Sequence, residues 1–227
     1  MARRKKPVIS ARKHPQQPRS AQLVAAILEA AIRVLVRDGA YRFTTARVAE
    51  AAGVSVGSLY QYFPNKEAIL FQLQSDEWRQ TMSQLERILN DLNTPPPQRL
   101  RAAVRTFFRS ECDEAAFRGA LEEAAPLYRE APEAKAHAEE GHHLMERFMR
   151  SALPGASARE RAFAADLVGI VMSSAGKMIS VQNRSRSEVD ALADAVADMI
   201  CAYLETDRAA KKQFRVVDLG LSRASSK

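Results

Sequence analysis

Apolar residues recur at spacings of three and four along most of the chain, which is the period of an α-helix that buries one face. Leu23, Ile27, Ala31 and Val34 form the first such stripe. The pattern predicts helices over residues 20–38, 45–52, 56–63, 65–92, 97–111, 113–125, 133–152, 157–181 and 187–209, with glycines, prolines and polar runs at the breaks. The sequence has no run of alternating β-branched residues and no Asn-Gly hairpin signal, so we predict an all-α fold.

Basic residues are concentrated at the start of the chain. The sequence holds 34 Lys and Arg against 27 Asp and Glu, a net charge of +7, and seven of the bases precede the first acid, Glu29. The chain from Glu29 onward is therefore neutral overall. This asymmetry indicates that one end meets a polyanion, although a solubilising tail would carry the same charge. Residues 1–19 also contain three prolines and little that could pack, so we interpret them as a disordered basic arm.

The remaining composition fits a protein of the cytoplasm. Hydrophobic residues make up 46% of the chain, which is enough to build a core. Two cysteines are too few for a disulfide framework and fit a reducing compartment. The basic start is followed by proline, glutamine and histidine, not by the apolar run of an export signal. The longest uncharged stretch, residues 51–65, contains glycine, serine and proline, so we expect no membrane span.

Residues 44–66, TTARVAEAAGVSVGSLYQYFPNK, have the pattern of a helix-turn-helix. Ala49 is small where a second helix must cross, and Gly53, four residues later, suits a turn that needs a positive φ. Val54 is expected to fill the core below the turn. Leu59 and Phe63 lie on the inner face of the second helix, which leaves small and polar residues on its outer face. An ordinary corner between two helices is the alternative, and it would not need this combination.

The same segment resembles the TetR family of bacterial transcriptional regulators. The resemblance covers residues 20–70 and rests on the pattern AxxAGVSxGxLYxxFxxKxxxL, here Ala49, Ala52, Gly53, Val54, Ser55, Gly57, Leu59, Tyr60, Phe63, Lys66 and Leu70. Many members have histidine immediately before the phenylalanine, where this chain has Tyr62. A tyrosine hydroxyl can still donate a hydrogen bond to a phosphate.

The resemblance implies which residues contact DNA. Base edges in the major groove are assigned to Val56, Gly57, Ser58 and Gln61, since glycine permits close approach and the amide of glutamine suits adenine. Backbone contacts are assigned to Thr45, Ser55, Tyr60, Tyr62 and Lys66. Arg47 is added from its position and charge, and a solvated surface base is the equal alternative. These assignments predict binding to double-stranded DNA with a palindromic operator.

The chain beyond Leu92 resembles the family only in helical layout and length. Residues 157–181 have apolar side chains on two faces of one helix, both of which must be buried. The resemblance implies that the last two helices pair with a second copy in a four-helix bundle, so we expect a homodimer. A monomer with a well-covered core would give the same pattern.

The resemblance also implies a small-molecule effector bound between the bundle helices. Large apolar side chains that could line such a cavity are Trp78, Phe107, Phe108, Phe117, Met145, Phe148, Met149, Phe163 and Met172. Simple core packing is the alternative for each of them. His137, Glu140, His142 and His143 form the one metal-like group, but adjacent histidines on a helix point about 100° apart. We therefore predict no metal and no cofactor.

These features predict four segments: a basic arm over 1–19, a helix-turn-helix domain over 20–70, a helical ligand-binding and dimerisation domain over 71–212, and a tail over 213–227. The predicted function is that of a dimeric repressor that leaves its operator when a small molecule binds. A non-specific architectural DNA-binding protein is the first alternative. A helical enzyme is the second, and the sequence has no glycine-rich phosphate loop, HExxH or GxSxG motif to support it.

Overall fold

The computed structural model describes Ile9, Ser10, Arg12 and residues 17–209, apart from the side chains at 137, 138 and 206–209. Within these residues all regular structure is helical and no strand is present, so the all-α prediction is confirmed. The helices are α1 (Pro18–Arg42), α2 (Thr45–Ala52), α3 (Val56–Tyr62), α4 (Lys66–Leu89), α5 (Pro96–Asp113), α6 (Ala115–Ala124), α7 (Pro132–Ala152), α8 (Ala158–Ser180) and α9 (Arg186–Ala209), with a 3₁₀ turn at Ala125–Leu127.

The bounds of α1 differ most from the prediction. Gly39 interrupts the helix as predicted, because its backbone is not helical, with a φ of 72°. A short second piece then continues to Arg42 within the same range. The helix also begins at Pro18, inside the segment interpreted as a disordered arm. Most of the predicted arm and all of the predicted tail over 213–227 lie outside the described residues.

Side-chain caps fix the starts of α2, α3 and α4. The Thr44 side chain accepts a hydrogen bond from the backbone N–H of Arg47 at the start of α2, and Ser55 accepts one from the N–H of Ser58 at the start of α3. Asn65 accepts a 2.8 Å hydrogen bond from the N–H of Ala68 at the start of α4. Such caps satisfy backbone donors that a helix cannot satisfy itself.

The first four helices and α6 share an N-terminal core. Ile27, Leu35, Phe43, Leu59 and Leu70 are completely buried there. Leu121 and Ala124 of α6, with Tyr128 just after it, complete the same core, and α6 packs directly against α1. The core of the predicted helix-turn-helix domain is therefore completed by α6, a helix from the middle of the chain.

Ile9 also belongs to this N-terminal core, with 4% of its surface exposed. The expectation that little in residues 1–19 could pack is wrong at this position. Val8 and Ile9 stand in a basic, proline-rich segment without apolar residues repeating at helical spacing, so a periodic pattern cannot mark Ile9 as buried.

A second core lies between α4, α5, α7, α8 and α9. Leu100, Phe108 and Met149 are fully buried at its centre, and α5 makes its largest contact with α9. Three ion pairs, which we call the α5–α9 ladder, follow this contact: Arg101–Asp198, Arg105–Asp194 and Arg109–Asp190. The four-residue spacing on both helices places each pair one turn from the next, and the falling acid numbers show that the helices are antiparallel.

Helix α8 is apolar on two faces, and only one face lies in this core. Ala164, Val168 and Met172 are buried, whereas Phe163, Ile170 and Met178 are 51%, 63% and 66% exposed. Among the described residues, α8 alone is long and apolar enough to cross a membrane by length and composition, and about a third of its most apolar stretch is buried inside the protein. The two-faced pattern in the sequence therefore corresponds to a core-facing side and an outward apolar side.

Candidate DNA-binding surface and ligand cavity

The turn between α2 and α3 has the geometry expected of a helix-turn-helix. Gly53 adopts the left-handed conformation with a φ of 67°, and its N–H bonds back to the carbonyls of Ala49 and Glu50. The N–H of Val54 follows with a 3.0 Å bond to the carbonyl of Ala49. Ala49 is 1% exposed and Leu59 is fully buried, so α2 and α3 are fixed to the core by their inner faces.

The outer face of α3 carries the residues that the family pattern assigns to base edges. Val56 is 39% exposed, Gly57 and Gln61 are exposed, and Ser58 is half-buried. The hydroxyl of Ser58 lies 2.8 Å from that of its cap, Ser55, which limits how freely Ser58 can reach outward. These four positions lie within one seven-residue helix, and none of them is buried.

Tyr60 connects α3 to α2 and to the N-terminal segment. Its hydroxyl lies 3.1 Å from the hydroxyl of Thr45, the first residue of α2. Arg12 donates a 3.2 Å hydrogen bond from its guanidinium to the carbonyl of Tyr60, and its backbone N–H donates a 2.8 Å bond to the carbonyl of Tyr62. These bonds hold Arg12 beside the end of α3. No motif in the sequence marks Arg12 for this role.

Arg47 is engaged in an ion pair, so neither interpretation from sequence describes it fully. Its guanidinium lies 2.9 Å from a carboxylate oxygen of Asp38, which also binds Arg37 at 2.9 Å. The hydrogen bond from Arg37, with that from Arg47, lowers the pKa of Asp38 well below its usual range. Arg47 therefore links α2 to the end of α1. Lys66, the first residue of α4, is half-buried one position after the Asn65 cap.

A cavity of about 790 Å³ lies among α4, α5, α6, α7 and α8. Four of the nine residues proposed from sequence line it: Trp78, Phe107, Met145 and Met172. Phe108, Phe148 and Met149 instead lie in the C-terminal core, at 0–2% exposure. Phe117 packs against the N-terminal core, and Phe163 is half-exposed on α8, so neither lines the cavity. Spacing alone could not separate cavity-lining from core-filling side chains.

One wall of the cavity carries a network of charges that the sequence did not predict. Arg118 of α6 contacts the carboxylates of Glu77 at 2.9 Å and Glu114 at 3.1 Å, and that of Glu111. It also donates hydrogen bonds to the hydroxyls of Thr81 and Ser110. The side chain of Glu77 is only 7% exposed, and this burial raises its pKa despite the nearby guanidinium. We call Glu77, Glu111, Glu114 and Arg118 the carboxylate cluster.

His142 and His143 on α7 lie beside carboxylate side chains. His142 lies 3.2 Å from a carboxylate oxygen of Glu146 and 3.0 Å from one of Asp166, and His143 lies 3.4 Å from Glu146. In the part of the chain that the structure describes, no group of three or more histidine, cysteine, aspartate or glutamate side chains could hold a metal ion. The side chain of His137 lies outside that part.

The chain thus combines a capped helix-turn-helix on an exposed surface with a helical body that contains a cavity, and α4 and α6 join the two. Two family profiles match the chain. Residues 27–73 match "Bacterial regulatory proteins, tetR family", and residues 95–206 match "Tetracyclin repressor-like, C-terminal domain". Together these profiles span most of the chain, which belongs to the TetR family of transcriptional regulators.

Individual relatives are similar to this chain in part of the sequence or in the fold. A region of 68 residues is 32% identical to the fatty acid metabolism regulator protein of Bacillus subtilis, covering 30% of this chain and 35% of that protein. The fold is similar to that of the fatty acid degradation regulator FadR from Bacillus halodurans, with a TM-score of 0.64 at 17% identity over 83% of this chain and 97% of that one. It is also similar to SmeT, the repressor of a Stenotrophomonas maltophilia multidrug efflux pump, with a TM-score of 0.59 at 24% identity over 83% and 90% of the two chains.

Proposed function

We propose that this TetR-family regulator is a dimeric repressor that binds a palindromic operator and leaves it when a small molecule enters the cavity. The exposed outer face of α3 carries the proposal. Its small and polar side chains can approach base edges closely, while the inner face of the same helix is fixed in the core.

Each surface residue has a role within this proposal. Gln61 and Ser58 read base edges, and Val56 and Gly57 form the close apolar contact with them. Thr45, Ser55, Tyr60, Tyr62 and Lys66 bind the phosphate backbone and fix the register of α3 in the groove. Arg47 acts in part through Asp38, since this ion pair holds α2 against α1.

The outward apolar side of α8 supports a homodimer. Phe163, Ile170 and Met178 are seven and eight residues apart, so they lie on one side of the helix, and Met199 of α9 adds a fourth exposed apolar side chain. Large apolar side chains that are exposed together on one side of a helix mark a contact surface for a partner. A two-fold axis along α8 and α9 would bury it and would give two α3 helices for two operator half-sites.

Helix α6 couples the cavity to the DNA-binding surface in this proposal. Its residue Arg118 belongs to the cavity wall, while Leu121 and Ala124 pack in the N-terminal core against α1. A ligand that displaces Arg118 would move α6 and, with it, α1 and the helix-turn-helix. The spacing of the two α3 helices in the dimer would then no longer fit two half-sites.

The proposal places the protein in the cytoplasm, bound to DNA and without a catalytic role. An architectural DNA-binding protein remains the alternative, because the basic arm alone could supply its affinity. Selection of bound duplexes from a random pool separates the two. A two-fold symmetric sequence bound at least about a thousandfold more tightly than random duplex supports the repressor. If the selected sequence and random duplex bind with nearly equal affinity, the protein does not recognise base sequence and the repressor proposal is contradicted.

A control variant sharpens this selection. Gln61→Ala should enrich the same palindrome with one position relaxed in each half-site, whereas a protein that reads no bases would give the same pool before and after the substitution. Sedimentation of the free protein and of its operator complex gives the number of chains bound to each palindrome.

A further inference from the structure

The carboxylate cluster makes the wall of the cavity electrostatically unbalanced. Three carboxylates, those of Glu77, Glu111 and Glu114, surround the single guanidinium of Arg118. Glu77, Glu111 and Arg118 all line the cavity, and their side chains are 7%, 15% and 13% exposed. Charges screened so little by water influence a bound molecule far more than surface charges do.

The other basic groups on the cavity wall are already matched by acids. Lys177 of α8 is paired with Glu122 of α6, and His142 lies against Asp166 and Glu146. No free cation remains among the described lining residues to receive an anionic ligand. The lining therefore carries excess negative charge, concentrated at the carboxylate cluster.

The far side of this wall is acidic as well. A groove of about 500 Å³ among α1, α4 and α6 shares Glu77 with the cavity and is also lined by Glu29, Asp76, Asp113 and Glu114, with no basic residue in its lining. Asp76 is paired with Arg79 and Asp113 with Arg186, so the groove adds mainly the charge of Glu29 behind the carboxylate cluster and brings no base to relieve it.

Aromatic side chains face the same space. Trp78 of α4 and Phe107 of α5 line the cavity beside Glu77 and Glu111. Aromatic faces next to carboxylates form the environment that attracts an organic cation with an apolar body.

We propose that the effector of this cavity is an amphipathic organic cation held between the carboxylate cluster and the aromatic side chains. The inference rests on the proposed ligand-responsive function and narrows its ligand class. The proposed ligand differs in charge from a fatty-acid carboxylate. Such an anion would meet Glu77 and Glu111 in this cavity without a free base to bind it.

Two probes of equal size and opposite charge test the inference on the unmodified full-length protein: tetraphenylphosphonium and tetraphenylborate. Trp78 is the only tryptophan in the chain and lines the cavity, so its fluorescence reports occupancy at this site. We expect saturable binding of the phosphonium that is at least about tenfold tighter than that of the borate, a difference of about 1.4 kcal/mol. Equal affinity, tighter borate binding or no binding of either probe would overturn the inference.

Two charge-neutralising variants locate the effect. Glu111→Gln should weaken phosphonium binding about tenfold, again about 1.4 kcal/mol, while Glu86→Gln changes the net charge equally at an exposed acid that does not line the cavity. Equal losses in both variants, at unchanged melting temperature, would contradict the carboxylate cluster as the determinant. DNA affinity is measured in parallel with and without the phosphonium. If the protein prefers the cation but its DNA affinity does not change, this inference is supported and only the proposed release of DNA by the ligand is contradicted.

Discussion

The guanidinium of Arg109 binds both carboxylate oxygens of Asp190 at 2.6 Å, and so ties the second half of α5 to the start of α9. This bidentate pair closes one end of the α5–α9 ladder, and the Arg101–Asp198 pair closes the other. The hydrogen bond from Arg109 lowers the pKa of Asp190, and the same bond raises the pKa of Arg109. The pairing is a geometric match that stabilises the charged form of both residues.

Asp190→Asn should therefore lower the melting temperature at neutral pH by a measurable amount. A lowered aspartate pKa contributes stability that is present above the unfolded-state pKa and is lost as the pH falls through the folded-state pKa. The gap between the original protein and the variant should thus narrow as the pH falls below about 4. Thermal melts over a pH series measure the gap. Glu130→Gln, at an exposed pair with Lys135 outside the ladder, serves as the control.

The turn glycine should not tolerate a side chain with a branched Cβ. A Cβ at Gly53 would meet no atom within 4 Å, so the cost of Gly53→Val is the left-handed backbone itself, about 1–2 kcal/mol or somewhat more for valine. Gly57→Ala is the matched control, because Gly57 lies inside α3 and a Cβ there meets only the Ser55 hydroxyl at 3.8 Å. Denaturant unfolding of both variants measures the difference. Equal stabilities would mean that the strain at Gly53 is relieved elsewhere.

Gln61 and Lys66 should differ in what they contribute to DNA binding. Gln61→Ala is expected to cost about 1–3 kcal/mol at one base pair of each half-site and to leave other sequences unaffected. Lys66→Ala should weaken all duplexes alike and flatten the dependence of affinity on salt. Competition binding with single-base operator variants checks both. A uniform loss in Gln61→Ala would remove its base-reading role.

Truncating the N-terminal segment at two points should separate its charge from its packing. Deletion of residues 1–8 removes Arg3, Arg4, Lys5 and Lys6 but leaves Ile9 and Arg12 in place, so the melting temperature should change little. For each DNA phosphate that the shortened arm no longer neutralises, the slope of log affinity against log salt should become shallower by about 0.9. Parallel lines for the two proteins would show that these bases do not contact DNA.

Deletion of residues 1–16 should in addition destabilise the fold. It removes the buried Ile9, whose contribution is at most about 2 kcal/mol after the cost of ordering the segment. Ile9→Ser in the full-length chain should reproduce this loss of stability with every basic residue retained. An unchanged free energy of unfolding in Ile9→Ser would mean that the burial of Ile9 adds nothing to the stability of the core.

The helix-turn-helix could be predicted almost residue by residue because its determinants are local. Gly53, the Ser55 cap and the spacing of Leu59 and Phe63 act within a few residues of one another, and α2 has the predicted bounds. The Asp38–Arg47 pair and the carboxylate cluster could not be found this way. Arg118 meets Glu77 across 41 positions of sequence, and nothing near either residue marks it as a partner.

The cavity lining was only partly predictable for a related reason. Phe107 and Phe108 are neighbours in sequence and look equivalent there, yet the first lines the cavity and the second is fully buried in the core. Which of two adjacent side chains faces a void depends on how the neighbouring helices cross, and that is a property of the assembled bundle. The position of Phe163 could not be predicted for the same reason, since an apolar side chain fits an exposed contact face as well as a cavity wall.

The wall that α6 adds to the N-terminal core means that the DNA-binding unit is not an autonomous module. A fragment ending at the proline run after Leu92 would keep α1 to α4 but lose Leu121, Ala124 and Tyr128, and so would expose the apolar side of α1. Transplanting this unit onto another sensor body would require that body to present a helix of matching shape at the same place. The DNA-binding unit can therefore be exchanged only between proteins whose C-terminal domains carry a helix equivalent to α6.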